Sequence, residues 1–411
     1  MKRRVVITGM GALSPIGNTV EEMWANARAG VCGIDFIKGF DTTEHKVKIA
    51  GELKNFEITD YMDKMAARRT ARFTQLALIA AREAMAQSGL DMSREDAGRC
   101  GVNISSGIGG LPTIEEEHYK GMKRGFDKVS PLFVPMAITN MAAGMTAIEF
   151  GFQGSCTCVV TACASATNAI GEAFRQIRDG YADVFLTGGS ESCVSELGIG
   201  GFTSMKALSE SEDPKRASIP FDKERNGFVM GEGAGVLLLE EYEHAVARGA
   251  EILCEIAGYG VSCDAHHMTA PLEDGSGAAA CMKAAMADAG IEPNQVAYIN
   301  AHGTSTPMND KCETRAVKSA FGDAASDLLM SSTKSMTGHL LGASGAVEAS
   351  LTVCALRDQF APPTIGYQVP DPECDLDIVA NAGKSMTGDY AMSNSLGFGG
   401  HNGSILFRRV K

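Results

Sequence analysis

Apolar runs bounded by glycine and polar turns recur along the chain, and their periods alternate. Short runs rich in β-branched residues at 5–8 (VVIT), 100–105 (CGVNIS), 183–189 (DVFLTGG) and 235–241 (GVLLLEE) predict strands in the first half. Runs at 251–260 (EILCEIAGYG), 296–303 (VAYINAHG) and 328–334 (LLMSSTK) predict strands in the second. Longer stretches with helical spacing predict helices over 68–88, 164–179, 277–289 and 345–358. Alternation of this kind predicts an α/β fold with buried sheets.

The pattern repeats itself. Residues 163–173 read CASATNAIGEA and 342–349 read GASGAVEA, each opening a predicted helix. Downstream, GFVMGEGAGVLLL (227–239) is echoed by GFGGHNGSILF (397–407). Two similar blocks in the same order predict a duplicated α/β unit, with residues 1–250 forming one half and 251–411 the other. The opening MKRRVVITGMGALSPIG has a basic head and an apolar stretch, but Thr8, Gly9, Gly11 and Pro15 interrupt it. It reads as a buried strand rather than a leader. No run of 18 apolar residues occurs, so no membrane span is expected.

Composition narrows the function. A chain of 411 residues, 45% hydrophobic, has ample material for a large core. Its net charge of −13 argues against nucleic acid, and an acidic partner would need a local basic patch. The twelve cysteines are scattered with no C-x-x-C spacing. That distribution predicts reduced thiols in a cytoplasmic protein, with no zinc or disulfide framework. Common motifs fail. The third glycine of a dinucleotide fingerprint would fall at Ser14, and a P-loop ending in GKS (383–385) would need glycine where Ile378 stands.

Three segments combine reactive side chains with small residues: TACASA around Cys163, NAHGTSTPMND around His302, and STKSMTGHLLGASG with Lys334 and His339. Cys163 at a helix start would have its thiol pKa lowered by unpaired N–H groups, which could also hold an oxyanion. A structural buried cysteine is the competing reading. A Cys–His pair alone would suit a thiol protease. Two neutral imidazoles and a fixed ammonium instead suit a site that holds an enolate as it forms. A fourth segment, NSLGFGGHN (394–402), reads as a glycine loop that approaches something closely.

Taken together these segments resemble the β-ketoacyl-acyl carrier protein synthases, condensing enzymes of fatty acid synthesis, over essentially the whole chain. They are closest to the type II elongation branch. The resemblance implies the thiolase-like fold, two duplicated α/β halves in a five-layered αβαβα arrangement, and a homodimer. It implies Cys163 as the acyl-accepting nucleophile and His302 and His339 as the pair that binds the malonyl thioester carbonyl. Lys334 would support His339, with Glu313 as its partner. The oxyanion hole would be the N–H groups of Cys163 and Phe398. Phe398 would also be a gate, freed by Gly397, Gly399 and Gly400, with the loop 263–271 (Asp264 and Thr269) moving beside it. Thr304 and Thr306 would bind the pantetheine arm, and Ile108 would line the acyl pocket, where the type I branch tends to have glycine. No metal or organic cofactor is implied.

The implied partner is the acyl carrier protein, loaded with acyl or malonyl groups and acidic in this family. Lys64, Arg68 and Arg72, spaced i, i+4 and i+8 on a predicted helix, with Arg69 adjacent and Lys206 elsewhere, form the candidate docking patch. Alternatives with related chemistry are a type I elongation synthase, a stand-alone polyketide ketosynthase and, further off, a thiolase. An alternative of another class is a non-catalytic partner subunit of a ketosynthase pair, which would be expected to lack the nucleophile.

Overall fold

The structure is a computed structural model that describes residues 2–410. Its first half contains strands β1 (Val5–Leu13), β2 (Cys100–Ser105), β3 (Cys156–Thr157), β4 (Val184–Glu191) and β5 (Gly233–Glu241). The second contains β6 (Cys254–Cys263), β7 (Val296–Asn300), β8 (Leu329–Ser331), β9 (Tyr390–Gly397) and β10 (His401–Arg408). Helices α1 (Arg72–Ser88), α2 (Met141–Phe150) and α3 (Ser165–Arg178) alternate with the first set. Helices α4 (Ser276–Ala289), α5 (Pro307–Phe321) and α6 (Ser344–Asp358) alternate with the second.

The two sets share one topology. The sheet orders are β1-β5-β4-β2-β3 and β6-β10-β9-β7-β8. In each, the first strand runs antiparallel to the last, and the last antiparallel to the one before it. The remaining neighbours are parallel in both. Val5–Ile7 pairs with 254–256 across the middle, so the ten strands are hydrogen-bonded in one row. The row wraps around α3 and α6, which touch each other and strands of both halves. Helices α1 and α2 cover the outer face of the first half, and α4 and α5 that of the second. Five layers result, a duplicated thiolase-like α/β arrangement.

Small residues make these layers close. A Cβ at Gly9 or Gly11 of β1 would stand 2.1 or 1.9 Å from the carbonyl oxygens of Ala84 or Ala80, so α1 lies directly on that strand. Helix α6 is buried from Ser344 to Leu356, enclosing the polar Ser344, Glu348, Ser350 and Thr352 among small and apolar residues.

One predicted helix is broken. The run 68–88 forms only from Arg72, after a separate short turn of helix over Lys64–Ala67. Side chains compete for the backbone there: Thr70 Oγ1 donates to Ala66 O, and Gln75 Nε2 donates to Ala67 O and Thr70 O. The expected i, i+4, i+8 face of Lys64, Arg68 and Arg72 therefore does not exist. Among the described residues, no helix is long and apolar enough to cross a membrane.

Candidate active site

Equivalent turns of the two halves meet at one cavity. Ala162–Ala164 is a tight turn feeding α3, and Leu341–Ala343 is the corresponding turn feeding α6. Each begins with a non-glycine residue in the left-handed region, Ala162 at φ +51° and Leu341 at φ +46°. The first turn carries Cys163. The second follows His339, which comes after a short helix (Lys334–Thr337) rather than directly after a strand. His302 lies two residues beyond the end of β7.

The side chains converge. One ligand atom from each of Cys163, His302 and His339 lies within 4.8 Å of the other two, at a cavity of about 330 Å³ that all three line. The two imidazole rings are 5.3 Å apart and nearly perpendicular, and Phe228 packs edge-on against His339. Both histidines are held well below their ordinary pKa, by burial first and then by the charge of Lys334, with His339 adding to the effect on His302. They are neutral at physiological pH. His339 Nδ1 is 2.8 Å from Ser344 Oγ. His302 Nδ1 and His339 Nε2 are buried without a partner among the described residues. The fold thus leaves one buried nitrogen of each imidazole unmet.

Burial pushes the Cys163 thiol up to about 11, against the downward pull of Lys334 and of the N–H groups of Phe398 and Cys163 itself. The sequence predicted a lowered thiol pKa. Helix start and N–H groups are present, but desolvation outweighs them. The N–H groups of Phe398 and Cys163 are both within hydrogen-bonding reach of the sulfur. Gly397 allows that approach, since a Cβ there would stand 2.6 Å from Thr161 O and 3.3 Å from Cys163 N.

Glu313 is not the partner of Lys334. Its carboxylate accepts from the backbone N–H of His302 at 2.8 Å and of Gly303 at 2.7 Å, so it orients the His302 turn. The ammonium of Lys334 pairs instead with Glu348 of α6, and both are buried. Burial raises the Glu348 carboxyl to about 7. Glu348 and Ser344 escaped the sequence reading. A lone acid in the otherwise uncharged run GASGAVEASLTVCAL was the available signal for the first.

Thr304 and Thr306 line the cavity, their hydroxyls 3.0 Å apart. Phe398, Asp264, Thr269 and Lys206 line it too. The loops carrying them are stitched together: Gly399 N donates to Met268 O, and Asp264 N to Gly400 O. Gly399 and Gly400 take φ of +86° and +76°. Ile108 does not line the cavity. It packs behind it, in a cluster with Phe202, Phe228 and Leu341, which do.

The basic residues divide. Lys64, Arg68, Arg69 and Lys206 are exposed, and among the described residues none is in an ion pair. Arg72 is not a free docking cation: Nε and Nη2 both donate to the buried carboxylate of Glu232 at 2.7 Å. The cluster of Cys163, His302 and His339 is also spaced to hold a metal ion.

The chain matches known proteins over its full length. The description "Beta-ketoacyl synthase, N-terminal domain" fits residues 2–245 and "Beta-ketoacyl synthase, C-terminal domain" fits 253–368. The chain belongs to the β-ketoacyl synthase family. It is 54% identical to the 3-oxoacyl-[acyl-carrier-protein] synthase 2 of Staphylococcus aureus (strain COL), covering 100% of this chain and 99% of that one. It is 48% identical to the protein of the same name from Synechocystis sp., with the same coverage. Among solved structures it is similar to a type II polyketide ketosynthase complex, AntDE:AntF with its acyl-carrier protein, at a TM-score of 0.93 and 37% identity over 100% of both chains. A β-ketoacyl synthase from Burkholderia phymatum gives 0.92 and 34%, also over 100% of both chains.

Proposed function

We propose that this enzyme catalyses the decarboxylating Claisen condensation of an acyl-(acyl carrier protein) with malonyl-(acyl carrier protein), giving 3-oxoacyl-(acyl carrier protein), CO2 and free carrier, in fatty acid elongation. The observation that carries it is the thiol of Cys163 beside two neutral imidazoles at one cavity. The 54% identity to proteins named for this activity, against 37% to the polyketide ketosynthase, favours fatty acid elongation over polyketide synthesis. The presence of Cys163 opposes a non-catalytic subunit.

The acyl thioester enters with its carbonyl oxygen toward the N–H groups of Cys163 and Phe398. As the sulfur attacks, a neighbouring neutral imidazole takes the thiol proton. The carrier's pantetheine sulfur leaves and recovers that proton, so the site returns to its neutral state with an acyl-Cys163 thioester. Malonyl-carrier then binds with its thioester carbonyl against His302 and His339. With Ser344 donating to Nδ1, His339 keeps its proton on Nε2 and can donate it to that oxygen. Loss of CO2 leaves an enolate whose charge these donors hold. Its carbon attacks the acyl carbonyl, the C–S bond to Cys163 breaks, and the thiolate takes up a proton. Each donor at such a site typically contributes about 3–4 kcal/mol to lowering the barrier.

The rest of the assignment follows from position. Thr304 and Thr306 receive the pantetheine arm, Phe398 gates it with the loop carrying Asp264 and Thr269, and Glu313 and Lys334 support the histidines. Lys64, Arg68, Arg69 and Lys206 dock the carrier. Strand β3 is an exposed sheet edge flanked by exposed Ile148 and Val160, which supports a homodimer formed by edge pairing. The break between α/β repeats near residue 250 supports halves of 1–250 and 251–411. Twelve free cysteines support a cytoplasmic location. Mass spectrometry after mixing with acyl-carrier protein tests the core claim. A stable acyl adduct on Cys163, elongated by two carbons on adding malonyl-carrier, is expected; an enzyme that never acquires an adduct refutes it.

A further inference from the structure

Glu191 ends β4, is fully buried, and takes no part in the chemistry above. Its carboxylate is surrounded by donors from two segments. Ser106 Oγ (2.8 Å), Gly107 N (2.7 Å) and Ile108 N (3.3 Å) reach it from the loop after β2. Gly342 N (3.0 Å) reaches it from the turn beyond His339, and the Cys193 thiol lies 3.4 Å away. Among the described residues, no lysine, arginine or histidine pairs with it. A buried carboxylate without a counter-cation is expensive, and burial pushes its pKa up. Only an ionised carboxylate, acceptor at both oxygens, can satisfy this many donors.

The backbone is shaped to reach it. A Cβ on Gly107 or on Gly342 would stand 2.8 Å from Glu191 Oε2. The two anchored segments are opposite parts of one apolar cluster: Ile108 belongs to the first, and Leu341, which lines the cavity beside Cys163, to the second. Leu341 is in the left-handed region, and the N–H that follows it is the one bound by Glu191.

We propose that Glu191 is a positioning residue for acyl-chain selection, its carboxylate clamping Leu341, which lines the cavity, to the Ile108 segment packed behind it and so limiting the space an acyl chain can enter. This deepens the condensing-enzyme reading and rests on it. A chain that extends past Leu341 meets Ile108, which the hydrogen bonds of residues 106–108 hold in place. In Glu191→Gln one side-chain terminus becomes a donor facing donors, and one wall is released.

The test is the ratio of kcat/KM for acyl transfer from palmitoyl- and octanoyl-carrier protein, measured on one sample so that the folded fraction cancels. Glu191→Gln is expected to raise this ratio about fivefold, the equivalent of one net hydrogen bond. Adding it to Ile108→Ala should then change nothing further. Should Glu191→Gln not fold, Ser106→Ala, which removes one donor and keeps the charge, is expected to move the ratio in the same direction. A ratio unchanged or shifted toward octanoyl, or full additivity with Ile108→Ala, overturns the clamp. Failure of the parent enzyme to form any acyl adduct would instead overturn the reading beneath it.

Discussion

Lys334 acts on three groups at once: its charge lowers the pKa of Cys163, His302 and His339. Lys334→Met removes that charge, and Glu348, already near 7, is then expected to protonate and stay neutral. Cys163 should titrate above about 11, so its alkylation by iodoacetamide slows at every pH below that value. The histidines should move the same way, up toward their ordinary range. In the proposed mechanism they work as neutral imidazoles, so malonyl decarboxylation should fail at a higher pH as the solution is acidified. A pH profile of carbon dioxide release reads this, and an acid limb that stays in place would remove Lys334 from the account. Cys163, His302, Lys334 and His339 were legible because each sits in a segment too small and too glycine-rich to be ordinary core. Their partners were not. Glu313 and Glu348 are both buried acids on helices, and nothing in linear spacing tells which one meets the lysine. The resting pKa of Cys163 was also beyond reach, since it depends on how much water the folded chain excludes.

The central layer depends on α3 and α6 touching through small residues. A Cβ on Gly345 would stand 2.1 Å from Thr167 Oγ1 and 2.8 Å from Thr167 N. Gly345→Ala should therefore destabilise the protein by about 1–3 kcal/mol, readable as a lower urea midpoint. Thr167→Ala should recover only part of this, because the backbone nitrogen remains; full recovery would contradict the close crossing. This crossing was foreshadowed in the sequence by CASATNAIGEA and GASGAVEA, whose small residues recur at the same helical positions. Most strands were legible for a similar reason: a continuous apolar run such as VFLTGG or GVLLLEE can be buried on both faces only in a covered sheet. The break at 68–72 was not legible, because it depends on Thr70 and Gln75 capturing carbonyls that a continuous helix would use.

At the scale of the whole molecule, two surfaces remain to be filled. The first is the edge strand β3, an unpaired sheet edge of the kind proteins usually cover, with Ile148 beside it at 73% exposure. Ile148→Asp should convert a dimer to a monomer by sedimentation, and a parent that sediments as a monomer would refute the edge pairing. The second concerns charge. The proposed partner is an acidic carrier, which a chain of net −13 repels at long range, so attraction must come from cations not already paired. Arg68 and Arg69 meet that condition and Arg72 does not, since Glu232 holds it in a bidentate pair. Two variants should therefore separate. Arg68→Glu with Arg69→Glu should raise the carrier-protein KM about tenfold or more at low salt, with the difference shrinking as salt is added and little change in melting temperature. Arg72→Ala should do the reverse, leaving KM in place while costing about 1–3 kcal/mol, because Glu232 loses its cation in a buried setting. If Arg72→Ala raised KM as steeply as the double variant, docking would extend onto α1 and the pair with Glu232 would be opened by the carrier.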